Sequence, residues 1–232
     1  MTRHLHRIKI PKKLHRRSKS MLSELLSKHK PEYIIGIDEV GWGAIAGPVG
    51  VGCAVYKVGY ENKKIKDSKK YTEKSRLSAF ALVHSTACYT DYEAVSVYNL
   101  QLHGPADMLQ WAFKTLAERA LAQFPNSIVI IDGSNEIKDF KGVQYAFPKA
   151  DAFVCAVSAA SIIAKVSRDR YMKIIHEDCP EFNWRENKGY GVPDHLAAMS
   201  KHGVTPHHRR NIQSVLDCEE KYGTYLKERK GL

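Results

Sequence analysis

No stretch of this chain is apolar for long enough to cross a membrane. None of its hydrophobic runs reaches the roughly 18 residues that a spanning helix needs. Cysteine is scarce. The five present (Cys53, Cys88, Cys155, Cys179, Cys218) are odd in number, widely spaced and without a C-x-x-C pair, which argues against a zinc ribbon or a disulfide framework. Reduced thiols in a cytoplasmic, intracellular setting are the expectation. The N-terminal segment lacks the apolar core of a secretory signal, but it is rich in arginine and poor in acid. Organelle import by that segment therefore stays open as an alternative. Internal repeats are absent.

Acid is nearly missing from the first thirty residues. Ten Lys and Arg side chains against the single Glu24 give residues 1–30 a charge of +9. The remaining 202 residues carry 26 basic against 24 acidic side chains, or +2, of the whole chain's +11. A nearly neutral body thus stands behind a strongly basic arm, a pattern that points to a polyanionic partner. A body of that length buries a core without staples, and a hydrophobic content of 44% is that of an ordinary soluble domain.

Along the chain, residues 1–19 show no apolar periodicity and are expected to be mobile. A short helix is expected to open at Ser20, run through Met21, Leu22, Leu25 and Leu26, and end near Pro31. Tyr33 to Glu39 reads as a strand ending in two acids, and Val49 to Val58 as a second strand. Glu73 to Leu82 reads as a helix and Thr86 to Val97 as a third strand. The clearest helix is 106–124, where Leu109, Ala112, Phe113, Leu116, Ala120 and Phe124 recur at helical spacing. Ser127 to Asp132 is a fully apolar strand ending in an acid, and Val143 to Phe147 a fifth strand. Ser158 to Met172 is a small-residue helix. Strands interleaved with helices give an α/β or α+β chain with a mixed sheet. The three Trp residues read mostly as core, Trp42 excepted.

The acids Asp38, Glu39 and Asp132 close apolar strands, and Asp151 precedes another apolar stretch. Any one of them reads as a turn former. Together, carboxylates at adjacent strand ends of one sheet converge on a point, and converging carboxylates repel unless a cation sits between them. Oxygen ligands without His or Cys suit Mg²⁺ or Mn²⁺. Two such ions about 4 Å apart activate water on one side of a phosphodiester and stabilise the leaving oxygen on the other. One objection stands. Adjacent strand residues point to opposite faces, so Asp38 and Glu39 share a cluster only if the strand ends or bulges there.

Six ordered motifs carry the reading further. They are Gly36 to Val49 with its Asp38-Glu39-Val40-Gly41-Trp42-Gly43 centre; Asp67-Ser68-Lys69-Lys70; Ile131-Asp132-Gly133; Lys149-Ala150-Asp151; Ser158 to Asp169; and Lys188-Gly189-Tyr190-Gly191. Gly203 to Arg210 adds a seventh. Across residues 33–212 the chain resembles ribonuclease HII, the type 2 ribonuclease H family. The resemblance implies an RNase H-like α/β fold, with a mixed sheet of about five strands flanked by helices and a helical C-terminal element that grips substrate. It divides the chain into a basic extension (1–30), a catalytic domain (31–178) and the substrate-binding element (179–232). It implies a monomeric enzyme that hydrolyses the RNA strand of RNA–DNA hybrids, or ribonucleotides embedded in DNA, and leaves 5′-phosphate and 3′-hydroxyl ends. Asp38, Glu39, Asp132 and Asp151 fall on the family's metal-binding acids. Gly41, Trp42, Gly43, Lys69, Lys70, Tyr190, Arg209 and Arg210 fall on substrate contacts, with Tyr190 against the sugar at the RNA–DNA junction. His207 and His208 are read with the two arginines as phosphate contacts, and Asp169 as a secondary acid that serves helix packing or pairs with Arg168.

The chain also departs from the family. Trp42 stands where the family has arginine, Ser134 where asparagine is common and Ala150 where glycine is common. No metal ligand is lost, so substrate preference is the property in question. A phosphate bond worth about 1.5–3 kcal/mol goes with the guanidinium, and the Trp42 ring is free to stack on a base or sugar. Two rivals remain on the same fold: a non-catalytic nucleic-acid-binding protein, and a nuclease of altered specificity acting on DNA.

Overall fold

A computed structural model describes residues 12–225, and describes the side chains from residue 19 onward. Five strands, β1 (Tyr33–Val40), β2 (Val49–Lys57), β3 (Tyr89–Val95), β4 (Ser127–Asp132) and β5 (Gln144–Phe147), form one sheet in the order β3-β2-β1-β4-β5. The first three make an antiparallel meander, while β4 runs parallel to β1 and β5 parallel to β4. Eight helices surround it among the described residues: α1 (Lys12–His29), α2 (Glu73–Thr86), α3 (Val97–His103), α4 (Pro105–Gln123), α5 (Cys155–Asp178), α6 (Trp184–Asn187), α7 (Pro193–His202) and α8 (Gln213–Tyr222). None is long and apolar enough to cross a membrane. All five cysteines are free thiols.

Strand alternation divides the core in two. Odd-numbered residues such as Ile35, Ile37, Val51, Val129 and Ile131 pack with Ala112, Phe113 and Leu116 of α4. Even-numbered residues such as Ala54, Tyr56, Ile128 and Ile130 pack with α2 and α5 on the other face. A third cluster joins the far end of α5 (Met172, Ile175) to Phe182, Trp184, Met199, Val204 and Val215 of the C-terminal helices. Ile45 and Ala46, from the loop after β1, belong to that cluster too. The C-terminal segment is therefore tied to the loop that follows the first acids.

Local sequence accounts for most element ends. Thr72 caps α2 by accepting from the Ser75 N–H at 3.3 Å, and Ser96 caps α3 by accepting from the Asn99 N–H at 3.2 Å. Pro105 opens α4 at a position where no N–H is needed.

Three expectations need correction. The first helix does not wait for Ser20 but starts at Lys12. Leu22, Leu25 and Leu26 pack on the α5-face core and His29 Nε2 lies 2.9 Å from Tyr145 Oη, so α1 is held to the sheet edge by its C-terminal half. The mobility expected of residues 1–11 lies outside the described residues. Second, α3 takes Val97 from the end of the expected third strand and continues to His103, through residues that carried no expected element. Third, Trp111 is 46% exposed, because the buried stripe of α4 runs through Ala112, Phe113 and Leu116 and leaves position 111 outside it.

Candidate metal centre and substrate face

The site forms where β1 and β4 run parallel. Ile37 is in register with Ile131, so Asp38 and Asp132 are the next neighbours along the pair. Both are even-numbered and face α5. Asp151 comes from the short turn Ala150–Ala152 that leads into α5. The turn is fastened to the strand end because the Ala150 N–H donates to Asp132 Oδ1 at 2.7 Å. Ser158 Oγ donates to the Asp151 carbonyl at 2.6 Å and fixes it against the first turns of the helix. Asp38, Asp132 and Asp151 each offer a carboxylate oxygen, and these oxygens lie within 4.8 Å of one another.

Electrostatics follow from that crowding. Burial, then the Asp132, Glu39 and Asp151 charges, raises the Asp38 carboxyl well above its ordinary value. Burial and the neighbouring Asp132 and Asp67 carboxylates push Asp151 up to about 6. Burial also raises Asp132 and Glu39. Carboxylates crowded this closely repel one another unless a cation sits between them, and the all-oxygen donor set fits a hard divalent ion.

Glu39 departs from the expectation. The β1–β2 ladder stays regular through Val40, with Glu39 opposite Val51, so no bulge brings Glu39 round to the cluster. It lies on the α4 face, outside the three-carboxylate group, and feels Asp132 and Lys69 through space.

Lys69 is the one expected substrate contact that is electrically joined to the acids. Burial would lower its ammonium, but Asp38, Asp67, Asp151 and Asp132 more than offset this and hold it above its ordinary value. Lys70 is exposed beside it. The turn that carries both is capped by Asp67, which accepts from the Lys69 N–H at 2.9 Å. The Asp67 carboxylate also lies close enough to Asp151 to help raise its carboxyl. Sequence reading quoted Asp67 within a motif but gave it no role. Its place before Ser68-Lys69, at a turn's first position, was the available signal.

After β1 the chain turns at Gly41, whose φ is +80° and where a Cβ would lie 2.1 Å from Arg168 Nε. Gly41 is buried, whereas Trp42 and Gly43 are exposed. Arg168, fully buried, donates to the carbonyls of Pro48 (2.8 Å), Ala46 (3.2 Å) and Lys188 (2.8 Å). It thereby ties the loop after β1 to the segment carrying Tyr190, whose ring centroid lies 5.7 Å from the guanidinium carbon. Arg168 therefore does not pair with Asp169. That acid is bound by Lys165 at 2.7 Å and Arg76 at 3.7 Å instead, because Arg168 projects toward the loops.

The phosphate contacts expected of the Gly203 to Arg210 stretch need correction as well. Arg209 is 3% exposed and donates to the carbonyls of Gly47 (2.8 Å) and Trp42 (3.0 Å). Arg210 makes a two-pronged pair with Glu219 at 2.7 Å for each bond. His208 is fully buried and His207 half-buried. These side chains support the loops internally. Sequence alone did not distinguish a buried arginine from a solvated one, since both read as charge.

Trp42 is 45% exposed and lines a cavity of about 660 Å³ with Leu109, Gln110, Ser134, Asn135 and Lys138. Two of the chain's departures from the family pattern, Trp42 and Ser134, thus share one cleft.

The Ribonuclease HII family model matches residues 35–215. The chain belongs to the ribonuclease HII family. It is 35% identical over 193 residues to ribonuclease HII of Ehrlichia ruminantium (strain Welgevonden), covering 82% of this chain and 90% of that one. It is 37% identical over 190 residues to ribonuclease HII of Wolbachia pipientis, covering 78% and 91%. The fold is similar to the crystal structure of ribonuclease H2 from Pyrococcus horikoshii, with a TM-score of 0.67 at 24% identity over 82% of this chain and 98% of that one. As a ribonuclease HII, the chain is a type 2 ribonuclease H, an endoribonuclease acting on RNA–DNA hybrids. The family is metal-dependent, and Asp38, Asp132 and Asp151 form an acidic group of the kind such chemistry uses.

Proposed function

We propose that this ribonuclease HII uses Mg²⁺ or Mn²⁺ held by Asp38, Asp132 and Asp151, with Glu39 adding its charge from outside that three-carboxylate group. The observation that carries the reading is the convergence of three carboxylate oxygens within 4.8 Å at two parallel strand ends. A pair of divalent ions, when bound, supplies the charge that activates a water and offsets the charge on the leaving 3′ oxygen. The chain's own residues do the rest. The Ala150 N–H holds the Asp132 carboxylate in place. Lys69 draws the phosphate backbone toward an acidic centre that would otherwise repel it. No covalent intermediate is required, and the products carry 5′-phosphate and 3′-hydroxyl ends.

The substrate face runs from Gly41, Trp42 and Gly43 to Tyr190, with residues 31–178 acting as the catalytic body and 179–232 as the grip. The enzyme works as a monomer. Tyr190 meets the sugar at the RNA–DNA junction, and the cleft of Trp42 and Ser134 takes over where the family uses a guanidinium. Preference for a lone embedded ribonucleotide is therefore weakened relative to a continuous hybrid. The test is cleavage mapping on an embedded single ribonucleotide, an RNA–DNA junction and a continuous hybrid, with an all-DNA duplex as control and each metal supplied in turn. Cleavage of the all-DNA duplex, or turnover in chelator, would sink the reading.

A further inference from the structure

Beneath the Tyr190 segment lies a row of buried rings that the chemistry described above does not use. Trp184, His195 and His208 are all fully buried. Trp184 Nε1 donates to His195 Nε2 at 2.9 Å, and His208 Nε2 lies 3.1 Å from that same nitrogen. His195 Nδ1 lies 2.9 Å from the Tyr190 carbonyl oxygen. At the far end, the Thr205 backbone N–H donates to His208 Nδ1 at 2.9 Å.

These contacts allow one arrangement of protons. A backbone N–H only donates, so His208 Nδ1 presents a lone pair to Thr205 and its proton sits on Nε2. An indole N–H only donates, so His195 Nε2 presents a lone pair to Trp184 and its proton sits on Nδ1. His208 Nε2–H then shares the single lone pair of His195 Nε2 with the Trp184 N–H, and His195 Nδ1–H donates to the Tyr190 carbonyl. All four ring nitrogens are used: a second proton on His195 would face the Trp184 N–H, and one on His208 Nδ1 would have to displace the Thr205 N–H in order to reach Thr205 Oγ1, 2.9 Å away. Burial lowers His195, and burial together with His195, His207 and Arg210 lowers His208 to about 3, in keeping with two neutral rings.

We propose that Thr205, His208 and His195, with Trp184 as the lateral donor, form a relay that positions Tyr190 for the substrate. The Tyr190 carbonyl also accepts from the Val192 N–H at 2.9 Å, while the Tyr190 N–H donates to the Asn187 carbonyl at 3.0 Å. The relay supplies the second bond to that carbonyl. With it, the backbone of Tyr190 is held on both polar groups and its ring lies over Arg168. Thr205 and His208 lie beside Arg209, which holds the carbonyl of Trp42. One buried network thus spans both sides of the substrate face. His195 and His208 are positioning residues, and their importance to turnover rests on the reading of Tyr190 as the sugar contact.

Three measurements test the relay. Long-range proton–nitrogen NMR of the full-length wild-type protein at neutral pH should find His195 protonated on Nδ1 alone and His208 on Nε2 alone. The opposite tautomers, or an imidazolium, would overturn the proposal. Amide exchange at Val192 should speed up at least about tenfold in His195→Leu and stay near wild type in His195→Asn, which keeps an amide donor near the lost Nδ1–H. Equal exchange in both variants would overturn it. On a single-ribonucleotide duplex, His195→Leu should raise KM about tenfold with little change in kcat, and should add nothing in a Tyr190→Ala background. Additive losses would mean the histidine acts by some other route. A Tyr190→Ala enzyme with wild-type kinetics would instead remove the sugar-contact reading, while the NMR and exchange results would still decide the relay.

Discussion

Gly36 of β1 sits directly under the backbone of Ala156 in α5: a Cβ at Gly36 would lie 2.2 Å from the Ala156 carbonyl carbon and 2.4 Å from its oxygen. That approach sets the height of the α5 N-terminus above the sheet, and with it the position of Asp151 relative to Asp38. Gly36→Ala is expected to destabilise the protein by about 1–3 kcal/mol, since backbone cannot retreat as a side chain can. Cleavage should fall as well, because the helix carries Asp151 away from its partners. Chemical denaturation and single-turnover assays report the two effects, and a variant as stable as wild type would show that α5 is free to ride outward.

Asp132→Asn separates chemistry from stability. The Ala150 N–H keeps an acceptor, but one of three crowded charges is gone. Cleavage should drop about 100-fold or more. In chelator the variant should be more stable than wild type by about 1 kcal/mol, as expected when self-repulsion at a functional site is relieved. A divalent ion should raise the melting temperature of wild type and do so much less for the variant. Wild-type rates in the variant would refute the site.

The raised carboxyl of Asp151 sets a pH window. Its folded value of about 6 lies above that of an ordinary aspartate, so between the two the native state holds a proton that the unfolded chain has lost. Stability linked to this group is present below about pH 4 and is lost as pH rises through about 6. The stability of Asp151→Asn relative to wild type, in chelator, should therefore climb between pH 4 and pH 7. Ion affinity should rise over the same range, since the carboxylates must lose protons to bind. A flat difference between the two proteins would contradict the burial-driven shift.

Salt dependence distinguishes gripping cations from structural ones. Lys69→Ala should weaken hybrid binding and reduce the slope of log K against log salt by about 0.9. Arg210→Ala should leave the slope unchanged, because its guanidinium is spent on Glu219, and Arg209→Ala should act on stability through the freed Gly47 and Trp42 carbonyls. A slope change in either arginine variant equal to that of Lys69→Ala would restore them as phosphate contacts.

Trp42→Arg tests the cleft. The variant is expected to gain preference for a single embedded ribonucleotide over a continuous hybrid by about 10-fold, the equivalent of part of a charge-assisted phosphate bond. Identical preferences in the two proteins would remove Trp42 from the specificity account.

The sequence alone determined a good deal. Apolar runs ending in acids marked β1 and β4 with nearly their observed bounds, because a strand buried on both faces has to be apolar until it meets water. Helical spacing marked α4, and the ordered motifs pointed to Asp38, Asp132 and Asp151, which the fold gathers. Other features were decided only by tertiary structure. Asp38 and Glu39 are adjacent letters, yet strand alternation sends them to opposite faces once β1 is seen to stay regular through Val40. Arg168 reads as a partner of Asp169, and Arg209 and Arg210 as phosphate contacts, yet they bind loop carbonyls and Glu219, since the burial of a guanidinium is set by what folds over it. The histidines at 195 and 208 are 13 residues apart in the chain and 3.1 Å apart in space. Local pattern records the periodicity of each element, but packing alone decides which distant polar groups must satisfy one another when water is excluded.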